Sequence, residues 1–286
     1  MRKIAIWLLA ALLLQLSVYE YLDRVLLAPA AGFTQTVDGT AGPSGGSTGS
    51  YSYDKSYYAD FSLRDLKIYA TRDNSQVRNI RLQTDQVFTY FTWLPNRNLA
   101  LAAISTNYAR STTVTLLSID PETNSQPVSP RVVGLARGAR ITDVAFSTQT
   151  NVTNILIRSG TASEVYRTDA NNYLRKLYLG TWSIDRIASL TAQDVLLYDD
   201  SVSKAVYAYY ANGRRARVRA GGLSSLALIG ADKNDNVYLG RLVYGDMVSE
   251  IWEGRIDGSF REIRSLDTPY PAGSISVNYD GTITFS

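Results

Sequence analysis

Three aspartates raise the first chemical question. Asp85, Asp143 and Asp185 each precede or begin a short apolar strand pattern. If those strands lie side by side, the carboxylates could converge on one opening. One could then act as acid and another as base, the pairing used to cleave a glycosidic bond. The competing reading is local: an aspartate at a strand start is commonly a turn residue bonded to its own backbone. No motif around the three favours the first reading over the second.

A second group is basic. Residues 213–219 read Gly-Arg-Arg-Ala-Arg-Val-Arg. In an extended chain Arg215, Arg217 and Arg219 fall on one face, and Ala216, Val218 and Ala220 fall opposite. Such a row attracts an anionic surface, either lipid head groups or a phosphate-rich wall polymer. It also has a plain structural use, because basic side chains on an edge strand block unwanted strand pairing. A third group, Asp232-Lys233-Asn234-Asp235-Asn236, offers several oxygen donors in a row. It lacks the glycine and the distal glutamate of a calcium-binding loop and reads as a polar hairpin turn. No metal and no cofactor is expected.

Two absences narrow the chemistry further. The chain has 286 residues with no cysteine and no histidine. Thiolate nucleophiles, disulfides, Ser-His-Asp triads and His- or Cys-ligated zinc are therefore excluded. The net charge of +3 is too small to suggest nucleic acid, and none is expected. Tyrosine is abundant, with 20 Tyr against 7 Phe, which suits strands and half-wet surfaces.

The elements that must position these groups begin after an unusual N-terminus. Arg2 and Lys3 precede an apolar run over residues 4–19. As a helix it is about 25 Å long, near the lower limit for a bilayer core. The basic flank favours a cytoplasmic N-terminus with the rest of the chain outside. Residues 1–31 are thus expected to form an uncleaved signal-anchor and stalk. The alternative is a cleaved signal peptide, and it needs a site near residues 28–31, behind Glu20, Asp23 and Arg24. Residues 32–61 read as a flexible Gly/Ser/Thr-rich linker and a tyrosine-rich lead-in.

Residues 62–286 carry short alternating strand patterns separated by turn residues, an all-β signature. Four complete four-strand units recur at roughly 40 to 50 residues, the period of propeller blades. A fifth unit has only its first two strands, residues 275–278 and 282–285. Its missing third and fourth strands are expected at residues 66–70 and 77–82. This gives a five-bladed β-propeller closed by pairing of N-terminal and C-terminal strands; two packed sheets in a sandwich are the alternative.

Asn212-Gly213 and Ile256-Asp257-Gly258-Ser259 stand between third and fourth strands. There the pattern resembles the WD40-like and TolB-like propeller repeats of bacterial proteins, although no Gly-His or Trp-Asp signature is present. That resemblance, over residues 62–286, implies a binding or scaffolding role without catalysis. The expected partner is a protein or an anionic envelope polymer, met outside the membrane, with Arg215, Arg217 and Arg219 as the binding residues. The alternative also comes by resemblance: some five-bladed propeller glycosidases carry an acidic trio in the channel. On that reading Asp85, Asp143 and Asp185 would make this a tethered glycan-active enzyme.

Overall fold

Alternation of apolar and polar residues in short runs, broken by Asn, Asp and Gly turns, produces antiparallel ladders throughout the described residues. The structure, a computed structural model, describes residues 48–123, 129–169 and 173–286. Among these residues there are five four-stranded antiparallel sheets and one two-stranded sheet. The first sheet is β1 (Thr48–Tyr51), β2 (Tyr57–Phe61), β3 (Asp65–Ala70) and β4 (Gln76–Arg81). The second is β5 (Gln86–Trp93), β6 (Ala100–Asn107), β7 (Thr112–Ile119) and β8 (Arg131–Leu135). The third is β9 (Arg140–Phe146), β10 (Thr153–Ser159), β11 (Ala162–Thr168) and β12 (Arg175–Leu177). The fourth is β13 (Ile187–Ser189), β14 (Val195–Asp200), β15 (Ala205–Tyr210) and β16 (Arg215–Arg217). The fifth is β17 (Leu226–Ala231), β18 (Val237–Tyr244), β19 (Met247–Gly254) and β20 (Phe260–Pro271). The two-stranded sheet is β21 (Ile275–Val277) and β22 (Ile283–Phe285).

In every four-stranded sheet the spatial order follows the chain order. The first strands of successive sheets lie against one another, β5 on β9, β9 on β13, β13 on β17 and β17 on β21. They form the inner row. Apolar cores fill the spaces between consecutive sheets rather than one central volume. Leu66 and Ile68 pack with Phe88 and Phe91, and Leu197 and Val206 pack with Leu228 and Leu239.

The expected pairing of the chain ends is not what the structure shows. β3 is hydrogen-bonded on both sides within the first sheet, to β2 and to β4, and has no edge left for β22. Its partners come from residues 48–61, whose composition suggested a linker and lead-in. Two local features account for this. The Trp93 indole donates to the Ser50 carbonyl at 3.1 Å, tying β1 to the second sheet. The Tyr58 hydroxyl lies across Gly49, where a Cβ would come within 1.7 Å of it. Gly49 is therefore a space requirement of a strand, not a sign of flexibility. β21 and β22 stand as a separate hairpin on the fifth sheet, with Phe285 edge-on to Tyr270 at 5.2 Å.

The N-terminal helix expected over residues 1–31 lies outside the described residues. Among the described residues no helix is long and apolar enough to cross a membrane.

Candidate functional site

The inner row carries a set of equivalent side chains. Leu94, Ser147 and Leu190 open the turns after β5, β9 and β13, each by a backbone bond of 2.8 to 3.1 Å to the strand that returns. Tyr90, Asp143 and Arg186 each lie four residues earlier. Each reaches toward the next inner strand. The Tyr90 hydroxyl lies beside Asp143 and the Val144 backbone, and burial pushes its pKa well up. The Asp143 carboxylate accepts from the Ile187 amide at 3.0 Å and from its neighbour Val144 at 2.9 Å. Arg186 donates to the carbonyls of Ile229 at 3.0 Å, Ile275 at 2.8 Å and Ala272 at 3.1 Å, with a longer contact to Leu228 at 3.3 Å.

Local backbone irregularity helps aim these groups. Thr89 and Thr142 are bulge residues, left unpaired where the registers of β5–β6 and β9–β10 shift. A bulge rotates the following side chain out of the regular alternation, and here the following residues are Tyr90 and Asp143. Both bulge threonines have buried hydroxyls without a hydrogen-bond partner among the described residues.

The three sequence-selected aspartates have separate fates. Asp85 is exposed, and its main-chain carbonyl accepts from Asn107 at 2.9 Å. Asp143 is half-buried and committed to two backbone amides; burial raises its pKa, opposed by those amides and by the Arg186 charge. Asp185 is exposed and paired with Arg158 at 2.8 Å. The carboxylate whose titration Asp185 influences is Asp199, a residue the sequence reading missed. Asp143 thus fastens a strand and Asp185 forms a surface ion pair, while Asp85 makes a main-chain contact. Replacing Asp143 with alanine leaves the Ile187 and Val144 amides without an acceptor. The expected loss is about 1 to 3 kcal/mol of stability, read as a lower urea midpoint with an unchanged slope.

Asp199 and Asp200, buried at the end of β14, line a cleft of about 240 Å³ with Asp185, Arg186, Lys204 and Asp246. One Asp199 oxygen accepts from the amides of Asp185 at 2.9 Å and Arg186 at 2.8 Å. Those two amides are diverted from the ladder, so β13 begins at Ile187, later than the apolar pattern from Ile184 suggests. Burial, reinforced by the Asp185 charge against its amide bonds, lifts the Asp199 pKa from 3.8 to about 6. The only sequence signal was an acidic pair closing an apolar run, Val195-Leu196-Leu197-Tyr198-Asp199-Asp200.

The arginine row behaves as its alternation predicts. Arg215 and Arg217 are exposed on β16, the outermost strand of the fourth sheet, and Arg219 is exposed just beyond its end; Val218 and Ala220 are buried, and Ala216 is half-buried. Arg215 lies over the Tyr207 ring at 4.0 Å and donates to the Leu179 carbonyl at 2.7 Å. Leu179 also accepts from the buried Tyr198 hydroxyl at 2.9 Å, which fixes the loop carrying the exposed Tyr178 and Trp182. Gly180 serves this contact: its φ is +70°, and a Cβ there would approach Arg215 Nη1 to 2.5 Å. Arg217 is tied to the Ser224 carbonyl at 2.9 Å. The edge is therefore a held arrangement of guanidinium groups with aromatic rings nearby.

No protein-family model and no curated protein sequence matches the chain. Solved structures do. A putative TolB from Agrobacterium tumefaciens superposes with a TM-score of 0.51 at 12% identity, covering 84% of this chain and 90% of that one. Virginiamycin B lyase from Staphylococcus aureus gives 0.51 at 12% identity, covering 76% and 69%. Dipeptidyl peptidase 4 from Porphyromonas gingivalis gives 0.53 at 12% identity; the match covers 77% of this chain but only 39% of the peptidase. At such identities the likeness defines the fold. That fold is a β-propeller, in line with the repeat read from the sequence.

Proposed function

We propose that this chain is a membrane-anchored, extracytoplasmic propeller that binds a protein partner through the outer edge of its fourth sheet, without catalysis. The observation that carries the reading is the held Arg215–Tyr207 pair beside exposed Tyr178 and Trp182. Arginine, tyrosine and tryptophan are the residues that dominate protein interfaces, and pre-fixed side chains lose little entropy on binding. Two of the three aspartates that a glycan-active enzyme would need are engaged elsewhere, Asp143 by backbone amides and Asp185 by Arg158. The anchor rests on the apolar run over residues 4–19 and its basic flank.

The test uses the full chain and its Arg215→Gln, Arg217→Gln, Arg219→Gln triple variant in pull-downs from envelope extracts. The expected result is a discrete protein retained by the wild type and lost by the variant. The variant loses the Arg215 ring and carbonyl contacts and the Arg217 carbonyl bond, so it should unfold about 1 to 3 kcal/mol more easily than the wild type while keeping the wild-type circular dichroism spectrum. Retention of the same protein by both would remove the site. Loss only of salt-sensitive sedimentation with anionic vesicles would reassign it to a lipid or polymer surface. For the anchor, mass spectrometry of membrane-extracted protein should find residues 1–31 retained; a start near Ala31 or Gly32 would refute it.

A further inference from the structure

In the first, third and fifth sheets a basic residue of the outermost strand meets a carboxylate of the strand beside it. Arg81 reaches Asp65 at 3.6 Å, Lys176 reaches Glu164 at 2.7 Å, and Arg261 reaches Glu253 at 3.0 Å. Arg81 and Arg261 stand directly opposite their acids in the register. On the second sheet Arg131 stands opposite Thr115. The fourth sheet departs from the pattern with a whole row. Opposite Arg217 and Arg215 stand Tyr207 and Tyr209. No ion pair reaches Arg215, Arg217 or Arg219 among the described residues. The backbone of this strand is open as well. Tyr210 N donates to Arg214 O at 2.9 Å and Val218 N to Val206 O at 2.8 Å, so the residues facing β15 are Arg214, Ala216 and Val218. By antiparallel alternation the N–H and C=O groups of Arg215 and Arg217 point outward. None of them has a partner among the described residues.

We propose that the partner docks here with an extended segment bearing Asp or Glu at every second position, which adds antiparallel to β16 as a fifth strand. The proposal rests on the protein-partner reading above and specifies what that partner presents. Charge and spacing both argue for it. Arg215 and Arg217 project from one face about 7 Å apart, and every second residue of an added strand repeats at that interval. Its carboxylates then stand opposite the arginines, as Asp65 stands opposite Arg81 and Glu253 opposite Arg261 within this protein. The aromatic ring beside Arg215 holds the guanidinium at 4.0 Å without neutralising it, so the charge stays available. A lipid or phosphate-polymer surface could meet the charges, but it has no N–H groups to offer the outward carbonyls. A polypeptide strand carries both donors and acceptors at the interval of the ladder.

The probe is a short fluorescein-labelled peptide of alternating Thr and Glu, its binding to the full chain read by fluorescence anisotropy. In the proposed pairing the Glu amides face β16 and the Thr amides face away. N-methylation of the Thr amides should therefore leave the affinity within about three-fold, and N-methylation of the Glu amides should lower it at least ten-fold. The same residues arranged as a Glu block and a Thr block, and an alternating Thr-Lys peptide, should bind at least ten-fold more weakly. The triple Gln variant should lose the alternating peptide by a similar factor. Equal binding of the block peptide or of the Glu-methylated peptide would overturn the proposal, by showing that charge alone is read. So would equal loss from both methylations, or no binding of the alternating peptide. The peptide is then added in excess to the pull-down. A protein that the wild type retains and the peptide does not displace would overturn the added strand and leave the partner reading standing. No retained protein, with the peptide binding as expected, would remove the partner reading and leave the chemistry of the edge.

Discussion

Replacing Arg186 with methionine should lower the free energy of unfolding by about 3 to 5 kcal/mol at pH 8 and by less at pH 5. Methionine keeps much of the length of the side chain and removes its donors. Carbonyls of β17, β21 and the turn at Ala272 then lose a shared cationic partner. A bond from a charged donor contributes about 1.5 to 3 kcal/mol, and bonds made by one group do not add fully. The pH dependence has a separate cause. The Arg186 charge holds down the pKa values of both Asp143 and Asp199, which burial raises. Without it both folded-state values rise further. A carboxyl of raised pKa keeps its proton in the folded state after the unfolded state has lost it. Stability then falls as pH rises through that window. Urea titrations at the two pH values measure both effects. A penalty under 1 kcal/mol would show that Arg186 is not a strut, and an equal penalty at both pH values would show that the carboxylates do not feel it.

Replacing Asp199 with asparagine should stabilise the protein at neutral pH by about 2 to 3 kcal/mol. The amide oxygen can still accept from the Asp185 and Arg186 amides, as the carboxylate does. What disappears is a charge held in a buried place, with Asp185 nearby. The folded pKa of about 6 exceeds the unfolded value near 3.8. At about 1.4 kcal/mol per pH unit, that difference sets the size of the gain. The sign follows from proton binding. Below pH 3.8 both states hold the proton and the contribution of Asp199 is fully present. Between 3.8 and 6 only the folded state holds it, so wild-type stability declines as pH rises. Above 6 the loss is complete. The asparagine variant should lack this slope between pH 4 and 6. A variant less stable than wild type at pH 7.5 would show that the second carboxylate oxygen has a role in the fold that the amide cannot supply.

The repeating part of the fold was legible because one rule governs it. In β7 and β11 the apolar run and the turn residues that follow agree, and a period-2 pattern states which face is buried. The first sheet was harder to read because Gly49 and Ser50 carry linker composition. Their strand character comes from Trp93 and Tyr58, contacts that sequence order does not display. The arginine row was legible down to its faces, since alternation alone fixes exposure on an edge strand. Its partners were not, because Tyr207 lies on the neighbouring strand and Leu179 comes from the loop between β12 and β13. Asp143 shows the limit most clearly. It sits in the middle of β9 rather than at the head of a strand, and its partner is an amide 44 residues away. No local rule distinguishes that use from catalysis.

The inner-row fastenings also have a direction in time. Tyr90, Asp143 and Arg186 each precede the backbone they hold, so a ribosome delivers the holder before the held. The second, third and fourth sheets each leave the exit tunnel with one such polar side chain unmet until later backbone meets it. Arg186 waits longest, because its Ile275 acceptor is 89 residues downstream. At the turns the order reverses between the fourth and fifth sheets, where the later Asp235 caps the earlier Thr191 amide at 2.5 Å. A nascent chain halted after β16 would therefore present an unfilled guanidinium and an uncapped turn on the same sheet.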